Sequence, residues 1–205
     1  MISWIVATHD EDMFERNLLR TLMPGFVEGD QIIVEKFAKS ITKAYASAQS
    51  QATNRIKCYI HHDVQILNLE DLRHAIIYAA ESTRVGMIGV IGSRSMIVPW
   101  WNGDPLGACM DSRLGRLAFS GAGECEMVDG LLLATTQDVD WDTSWPGWHG
   151  YDYDSCKQMT ERGLINWCIP HGDSLVYHNS DSPLNLQEIE GWQAAAALMT
   201  QKWGY

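Results

Sequence analysis

The sequence is poor in positive charge, since 15 lysines and arginines stand against 26 aspartates and glutamates and give a formal net charge of −11. A surface of this sign repels phosphate groups, so we expect no general affinity for nucleic acid or for anionic membranes. Any anionic ligand must therefore be bound by a local site. The chain also lacks an apolar run of the roughly 20 residues that span a bilayer, so we expect no membrane span.

Cysteine is scarce, and its pattern excludes a disulfide framework. The cysteines are odd in number and form no CxxC pair, and most of them lie in apolar segments, as small hydrophobic residues do. The chain contains no HExxH zinc motif. Its first residues become acidic too soon for a signal peptide. Together these features predict a cytoplasmic protein. The five cysteines are Cys58, Cys109, Cys125, Cys156 and Cys168.

The order of apolar patterns predicts an α/β fold. Short apolar runs alternate with helical spacing, which is typical of strands joined by crossover helices in a mixed, mostly parallel central sheet flanked by helices. With 205 residues, 46% of them hydrophobic, the chain is long enough for one sizeable core, so we expect a single domain, residues 1–205. The predicted strands of this first half are 2–7, 31–35, 57–60 and 85–91, and the predicted helices are 10–23, 40–52 and 69–81.

The sequence changes character after residue 92. Residues 93–123 are rich in glycine and carry two adjacent tryptophans, and we predict a long loop or irregular insert there. The later predicted elements are a strand at 125–135 with Asp129 and Gly130 in its middle, a helix at 152–162, strands at 164–169 and 174–177, and a closing helix at 186–202.

Three candidate ligands, His61, His62 and Asp63, directly follow the third predicted strand. In open α/β sheets, ligands bind beyond the carboxyl ends of the strands. A carboxylate at such a position can hold Mg²⁺ or Mn²⁺ against a diphosphate, because hard cations prefer oxygen ligands. A solvated aspartate in a strand-to-loop turn is the plainer alternative. The tripeptide alone does not decide between these two interpretations.

Four motifs occur in a fixed order: "IHHDV", "EMVDGLLLAT", "PGWHGYDYDSC" and "SLVYHNSDSP". They resemble the family-2-like glycosyltransferases, in the branch related to the streptomycin-biosynthesis protein StrF. The resemblance covers nearly the whole chain. It implies the GT-A fold, which is a Rossmann-like nucleotide-diphospho-sugar transferase fold, with a nucleotide-sugar-binding half at residues 1–92 and an acceptor-binding half at residues 93–205. The implied activity is transfer of a sugar from a nucleotide-sugar to an acceptor hydroxyl.

The resemblance places the diphosphate site at the HHD tripeptide, where the family carries its DxD motif. It implies that Asp63 coordinates Mn²⁺ or Mg²⁺ and that His61 lies near the ribose, with His62 in the same site. His61 departs from the usual pattern because it replaces the first aspartate of the motif. The late histidine of the family matches His178, which is implied as a further metal ligand. A surface histidine after a strand is the alternative.

The resemblance also implies donor contacts in three other segments, with a UDP-sugar as the favoured donor. Asp129 would hold the donor sugar, and Gly130 would leave room for the sugar ring. The alternatives are that Asp129 hydrogen-bonds to a neighbouring loop and that Asp10 simply caps the first helix. The remaining donor candidates stand after the first strand and before the second helix: Thr8, His9, Asp10, Lys39 and Ser40.

The general base of related inverting enzymes lies at the start of the acceptor-side helix, a position that matches Asp152. A positioned carboxylate that accepts the hydroxyl proton contributes roughly 10²–10⁴-fold to the rate. Asp154 is the second candidate, and His149 would orient the acceptor or that carboxylate. The alternatives are structural, because an aspartate that opens a helix is a natural N-cap and His149 stands among aromatic residues.

Nine tryptophans are many for a chain of this length. Flat aromatic faces can stack on an acceptor sugar or base, so Trp100, Trp101 and Trp148 are candidates for acceptor binding. The alternative is that they cover a small core.

Three competing functions are compatible with the same residues. A metal-dependent hydrolase could use the histidines and Asp63, a nucleotide-sugar-binding protein could have little or no turnover, and a carbohydrate-binding module could use the tryptophans. The acceptor, the donor sugar and the anomeric outcome are not determined by the sequence.

Overall fold

A computed structural model describes residues 1–37, 39–97, 102–145, 147–171, 173–180 and 186–204, with the side chains of 186–189 excepted. Its strands are β1 (Ile2–Thr8), β2 (Gln31–Lys36), β3 (Ile56–Ile60), β4 (Val64–Ile66), β5 (Val85–Gly89), β6 (Ile91–Ser93), β7 (Pro105–Asp111), β8 (Gly115–Ala118), β9 (Gly123–Cys125), β10 (Met127–Val128), β11 (Leu132–Thr135), β12 (Ile165–Cys168) and β13 (Val176–His178).

The helices follow the predicted periodicity closely. A π-helical turn (Glu15–Leu19) joins the first two helices, and a 3₁₀ turn (Met23–Gly25) follows the second. The α-helices are α1 (Glu11–Phe14), α2 (Arg20–Leu22), α3 (Ile41–Gln51), α4 (Leu69–Ala80), α5 (Tyr151–Glu161) and α6 (Leu186–Trp203). No helix among the described residues is long and apolar enough to cross a membrane.

The main sheet has the order β2-β1-β3-β11-β5-β12-β9 within the described ranges. Strand β1 is buried along its whole length and pairs in parallel with β2 and β3, with Ile5 opposite Ile33 and Tyr59. Strand β12 is parallel to β5, whereas β11 runs antiparallel between β3 and β5. The predicted α/β class is confirmed, and the central sheet is mixed. Because β1, β2 and β3 are parallel, their carboxyl ends lie at one edge.

Helix α3 is the crossover between the parallel strands β2 and β3, and helix α4 connects β4 of the second sheet to β5. Each begins with a side-chain cap: the Ser40 hydroxyl accepts a hydrogen bond from Lys43 N, and the Asn68 side chain accepts one from Asp71 N. The buried positions of α3, namely Ile41, Ala44, Tyr45 and Ala48, have the spacing of one helix face. Burial of this face holds α3 against β1 and β2 and fixes the edge at which those strands end.

A second sheet, with the order β10-β6-β7-β13-β4, contains segments that the sequence did not predict as strands. The prediction of a long loop or irregular insert at 93–123 is corrected by the structure, because β7 and β8 form an antiparallel pair there. The expected strand at 85–91 is also divided, since β5 belongs to the main sheet and β6 to the second. These pairings join segments that are distant in sequence, so local patterns did not reveal them.

The prediction of a single strand at 125–135 is likewise wrong. This segment contains the end of β9 and all of β10 and β11, and β10 pairs with β6 whereas β11 pairs with β3. The break lies at Asp129, whose carboxylate accepts a hydrogen bond from Leu131 N at 2.9 Å. An aspartate that binds the backbone two residues later favours a turn over a continuous strand. The turn carries the chain from one sheet to the other beside the end of β3.

Candidate active site

The HHD tripeptide forms the turn between β3 of the main sheet and β4 of the second sheet. His61 N donates to Leu131 O at 3.1 Å, and Val64 N donates to His61 O at 3.3 Å, so the turn is anchored at both ends. His61 and Asp63 are half-buried here, with side chains that are 28% and 20% exposed. The turn therefore presents imidazole and carboxylate groups where the two sheets meet, while solvent can still reach them.

His178 joins this turn through the pairing of β13 with β4. The register sets His178 opposite Val64, and Asn179 N donates to Asp63 O at 3.0 Å. The His178 Nε2 atom lies 3.5 Å from Asp63 Oδ2, and His61 Nδ1 lies 3.9 Å from Asp63 Oδ1. The possible ligand atoms of the three residues all lie within 4.8 Å of one another. The structure thus brings Asp63 and His178 together as the sequence predicts, and adds His61.

The protonation states of this group differ from those of free side chains. Burial lowers the pKa of His61 to about 4, so its ring is neutral at pH 7. Burial alone would raise the pKa of Asp63, but the hydrogen bond and positive charge of His178 lower it to about 2. Burial opposes the charge on His178, yet Asp111 and Asp63 raise its pKa to about 10. Asp63 is therefore an ionised carboxylate beside a neutral imidazole.

Asp111 and Ser180 hold His178 from the other side, and the sequence reasoning missed both. Asp111 Oδ2 lies 3.1 Å from His178 Nδ1 and accepts a hydrogen bond from the Ser180 hydroxyl. Asp111 Oδ1 accepts bonds from Arg113 N and Leu114 N. The Asp111 pKa is well below its usual value, since these bonds outweigh burial. The available signal was the polar end of the apolar run "LGACMD", in a segment predicted as a loop.

The donor set fits a divalent cation. Asp63 Oδ1 is buried and has no hydrogen-bond partner in the part of the chain that the structure describes, although a buried carboxylate oxygen normally has one. His61 Nδ1 lies 3.9 Å from this oxygen, which is too far for a hydrogen bond. A cation that displaces the Nε2 proton of His178 could be bound by these two atoms and by His178 Nε2 together. Carboxylate and imidazole ligands together are compatible with Mn²⁺ and, less favourably, with Mg²⁺.

A second cluster, formed by Thr8, His9, His62 and Trp148, lies at the carboxyl end of β1. The Thr8 hydroxyl is 2.6 Å from His62 Nδ1 and donates to Asp10 O at 2.7 Å. The His9 ring lies 4.8 Å from the His62 ring and 5.3 Å from the Trp148 ring. The structure therefore joins a predicted acceptor residue, Trp148, to predicted nucleotide residues.

The other predicted residues of this region have simpler positions. Asp10 caps α1 by accepting a hydrogen bond from Met13 N, which was the alternative role. Ser40 caps α3, whose first residue, Ile41, donates to Gly147 O next to Trp148. Lys39 is exposed. The predictions for Trp100 and Trp101 fall outside the described residues.

Asp152 lies on the first turn of α5, but it is not the N-cap. That position is taken by Gly150, whose φ of 76° is in the left-handed region that favours glycine. The Asp152 carboxylate accepts hydrogen bonds from Gly130 N at 3.1 Å and Tyr153 N at 3.0 Å. Burial, followed by the nearby charge of Asp129, raises the pKa of Asp152 to about 7. A carboxyl group with this pKa can exchange a proton near neutral pH.

Asp154 and His149 lie against α6. Asp154 Oδ1 accepts a hydrogen bond from Trp203 Nε1 at 2.9 Å and forms an ion pair with Lys202 at 2.8 Å. The His149 ring is 5.9 Å from the ring of Trp192. Asp154 therefore connects α5 to α6, which gives it a structural role. Its predicted catalytic role is not tested by this position.

Gly130 contacts Tyr151, which occupies the room that the glycine was expected to leave for a sugar ring. A Cβ atom at Gly130 would lie 2.3 Å from the Tyr151 hydroxyl. That hydroxyl donates to Gly130 O at 2.9 Å and lies 2.6 Å from His61 Nε2. Tyr151 thus links the start of α5 to the HHD turn.

Comparison with known proteins identifies the family of the chain. Residues 3–193 match the family described as glycosyltransferase-like. The chain belongs to the glycosyltransferase-like family. This match confirms the predicted enzyme class, glycosyltransferase, whereas the StrF-related branch stays a prediction. No curated protein matches the sequence.

Solved structures with the same fold support the GT-A assignment. The mannosyltransferase PcManGT from Pyrobaculum calidifontis, in complex with GDP-Man and Mn²⁺, is 12% identical with a TM-score of 0.56, and the match covers 92% of this chain and 59% of that one. TarS 1-349 from S. aureus, in complex with UDP, is 11% identical with a TM-score of 0.60, and the match covers 100% of this chain and 72% of that one. The present chain thus corresponds to 59% of the length of the mannosyltransferase chain.

Proposed function

We propose that this glycosyltransferase moves a sugar from a nucleotide-diphosphate sugar to an acceptor hydroxyl, with a UDP-sugar as the favoured donor. We also propose that the chain belongs to the StrF-related branch, because its four ordered motifs resemble those of that branch. The related structures support a nucleotide-sugar donor, because one is a complex with GDP-Man and Mn²⁺ and another is a complex with UDP. One of these ligands carries guanosine and the other uridine, so both nucleotides belong in the test.

The observation that carries the proposal is the buried Oδ1 atom of Asp63, which has no hydrogen-bond partner among the described residues and lies between neutral His61 and His178. These three side chains would hold Mn²⁺ or Mg²⁺, and their two imidazoles favour Mn²⁺. When bound, the cation would supply positive charge to stabilise the diphosphate that leaves from the sugar. The solvent exposure of the three side chains leaves room for oxygen ligands from that diphosphate.

Asp152 is the proposed general base. Asp152 is buried and follows Tyr151, whose hydroxyl contacts His61, so Tyr151 connects the proposed base to one of the cation ligands. Each carboxylate oxygen offers about two acceptor positions, so two backbone hydrogen bonds leave acceptor capacity for a hydroxyl proton. Asp154 and His149 are the weaker candidates, since the Asp154 carboxylate accepts a hydrogen bond from Trp203 of α6 and the His149 ring lies beside that of Trp192.

Nucleotide binding with and without the cation tests this proposal. UDP and GDP should bind and raise the melting temperature in Mn²⁺ and should bind much more weakly in EDTA, because a ligand of the folded state stabilises it by mass action. Asp63→Asn should remove the Mn²⁺-dependent part. Asp173→Asn is the matched control, since Asp173 is 91% exposed. Equal nucleotide affinity in Mn²⁺ and EDTA would exclude the proposed cation site.

Turnover is measured as nucleotide release from a panel of UDP- and GDP-sugars, with and without an acceptor panel of glycans and small hydroxyl compounds. Release that depends on an acceptor supports transfer. Release at the same rate without any acceptor favours the hydrolase, and binding without release favours a nucleotide-sugar-binding protein.

A further inference from the structure

The Tyr151 hydroxyl sits between two fixed partners at the back of the proposed cation site. It lies 2.6 Å from His61 Nε2 and 2.9 Å from the carbonyl oxygen of Gly130. Tyr151 is 3% exposed, so water does not compete strongly for these bonds. The distance to Gly130 O is normal for an O–H···O hydrogen bond, and the distance to His61 Nε2 is short for a hydrogen bond between nitrogen and oxygen.

Counting protons assigns the direction of each bond. A hydroxyl has one proton to donate, and a carbonyl oxygen can only accept. The Tyr151 proton therefore points to Gly130 O, because the opposite orientation would set two unshared electron pairs 2.9 Å apart. It follows that His61 Nε2 carries a proton and donates it to the Tyr151 oxygen. A histidine ring that binds a cation has only one ring proton, so Nδ1 is the atom of His61 that can offer an unshared pair.

That unshared pair is on the ring nitrogen that faces Asp63. His61 Nδ1 lies 3.9 Å from Asp63 Oδ1, the buried oxygen for which the described part of the chain offers no hydrogen-bond partner. We propose that Tyr151 is a positioning residue that holds His61 in the Nε2–H tautomer, so that Nδ1 is available as a cation ligand. This inference rests on the proposed function. The physical basis is general, because metal-binding histidines use a hydrogen bond from the second ring nitrogen to fix the tautomer.

The packing around Tyr151 explains why the hydroxyl stays in place. The ring lies 5.7 Å from the ring of Tyr45 and 6.3 Å from that of Trp141, both of them buried. Gly130 supplies the space, since any Cβ atom there would lie 2.3 Å from the hydroxyl oxygen. A positioning role therefore accounts for two motif residues at once, the glycine of "VDG" and the first tyrosine of "GYDYD".

The first experiment measures the tautomer in the metal-free protein. With histidine labelled by ¹⁵N, long-range proton–nitrogen NMR spectra should show His61 with protonated Nε2 and unprotonated Nδ1. In Tyr151→Phe, which keeps the ring and loses the hydroxyl, the two tautomers should become mixed. Tyr59→Phe is the matched control, because this buried hydroxyl of the same aromatic cluster binds Gln49. A wild-type His61 with protonated Nδ1 overturns the inference without any variant.

The second experiment titrates Mn²⁺ into the full chain and follows free Mn²⁺ by electron paramagnetic resonance. Tyr151→Phe should weaken Mn²⁺ binding by roughly 10–100-fold, whereas Tyr59→Phe should not. In a His61→Asn background, Tyr151→Phe should cause no further loss, since Tyr151 acts through the ring that is already absent. An equal loss in both backgrounds would show a general structural role and overturn the inference.

The two proposals fail in distinguishable ways. If wild-type protein binds no Mn²⁺ while His61 shows the Nε2–H tautomer, the proposed cation site is wrong. Tyr151 then fixes the tautomer of His61 but positions no cation ligand. If wild-type protein binds Mn²⁺ and Tyr151→Phe binds it equally well, the cation site stands and the positioning role is wrong.

Discussion

The substitution Asp152→Asn tests whether Asp152 is the general base, because its effect on turnover can be measured separately from its effect on stability. As a base, Asp152 must be ionised, and its pKa of about 7 predicts a rate that rises with pH and levels off above that value. Asn cannot accept the proton, so turnover should fall by roughly 10²–10⁴-fold at saturating donor. The small remaining rate should lose the pH dependence that Asp152 causes.

The effect on stability has two parts of opposite sign. Asn has one acceptor oxygen, whereas the carboxylate accepts from both Gly130 N and Tyr153 N, so one buried N–H loses its partner. This costs about 1–3 kcal/mol. For a chain of this size each kcal/mol corresponds to roughly 2–4 °C in melting temperature. An N-cap role for Asp152, in which Asn would be an equally good residue, is not available, because Gly150 is the N-cap.

The second part is electrostatic and depends on pH. The folded-state pKa of about 7 exceeds the ordinary value of 3.8, so folding favours the protonated carboxyl. The stability that comes from this preference is fully present below pH 3.8 and is lost as the pH rises through about 7. Asn carries no such charge. The melting temperature of Asp152→Asn should therefore lie well below that of the wild type at pH 5 and approach it at pH 8.

The assay is nucleotide release from the donor that wild-type protein turns over fastest, combined with melting curves from pH 5 to pH 8. Asp154→Asn is the control, since Asp154 is buried on the same helix and pairs with Lys202. It should lose stability and keep its turnover. If Asp152→Asn retains near-normal turnover, Asp152 is not the base. If Asp154→Asn alone is inactive, the base is Asp154.

Two further substitutions test the groups around the proposed cation. Gly130→Val should destabilise the protein by about 1–3 kcal/mol, because its side chain would displace the Tyr151 hydroxyl, and should weaken Mn²⁺ binding as well; selective loss of sugar-nucleotide binding would instead favour a sugar pocket. Asp111→Asn should weaken Mn²⁺ binding by roughly 10–100-fold, because an amide NH₂ would face His178 Nδ1–H; unchanged affinity in a Mn²⁺ titration would exclude this orienting role.

Local patterns predicted the first half of the fold well. The strand at β1 and the helix at α3 follow from an apolar run and from a 3.6-residue spacing, and both patterns depend only on neighbours in sequence. The caps Asp10 and Ser40 act within three residues of themselves, so they too could be recognised from the sequence. Wherever the decisive interaction was local, the predicted bounds agree with the structure within about two residues.

Non-local pairing accounts for the errors. Strand β7 pairs with β6, β8 and β13, and these partners could not be identified from periodicity in a glycine-rich segment. Asp111 was missed for the same reason, because its role depends on β13 lying beside β7, where His178 is opposite Asp111. The HHD tripeptide was a candidate because it follows a predicted strand, but the resemblance in four motifs was needed to favour its metal role and to find His178.

The cation site depends on strand register as well as on residue identity. Side chains alternate between the two faces of a strand, so a slip by one residue would turn every side chain of β13 to the opposite face. In the observed register His178 is opposite both Val64 of β4 and Asp111 of β7, which places one nitrogen of its ring toward Asp63 and the other toward Asp111. The same pairings that complete the second sheet therefore set the tautomer and the direction of a proposed metal ligand, so a substitution that disturbs β13 should affect Mn²⁺ binding even where it touches no ligand.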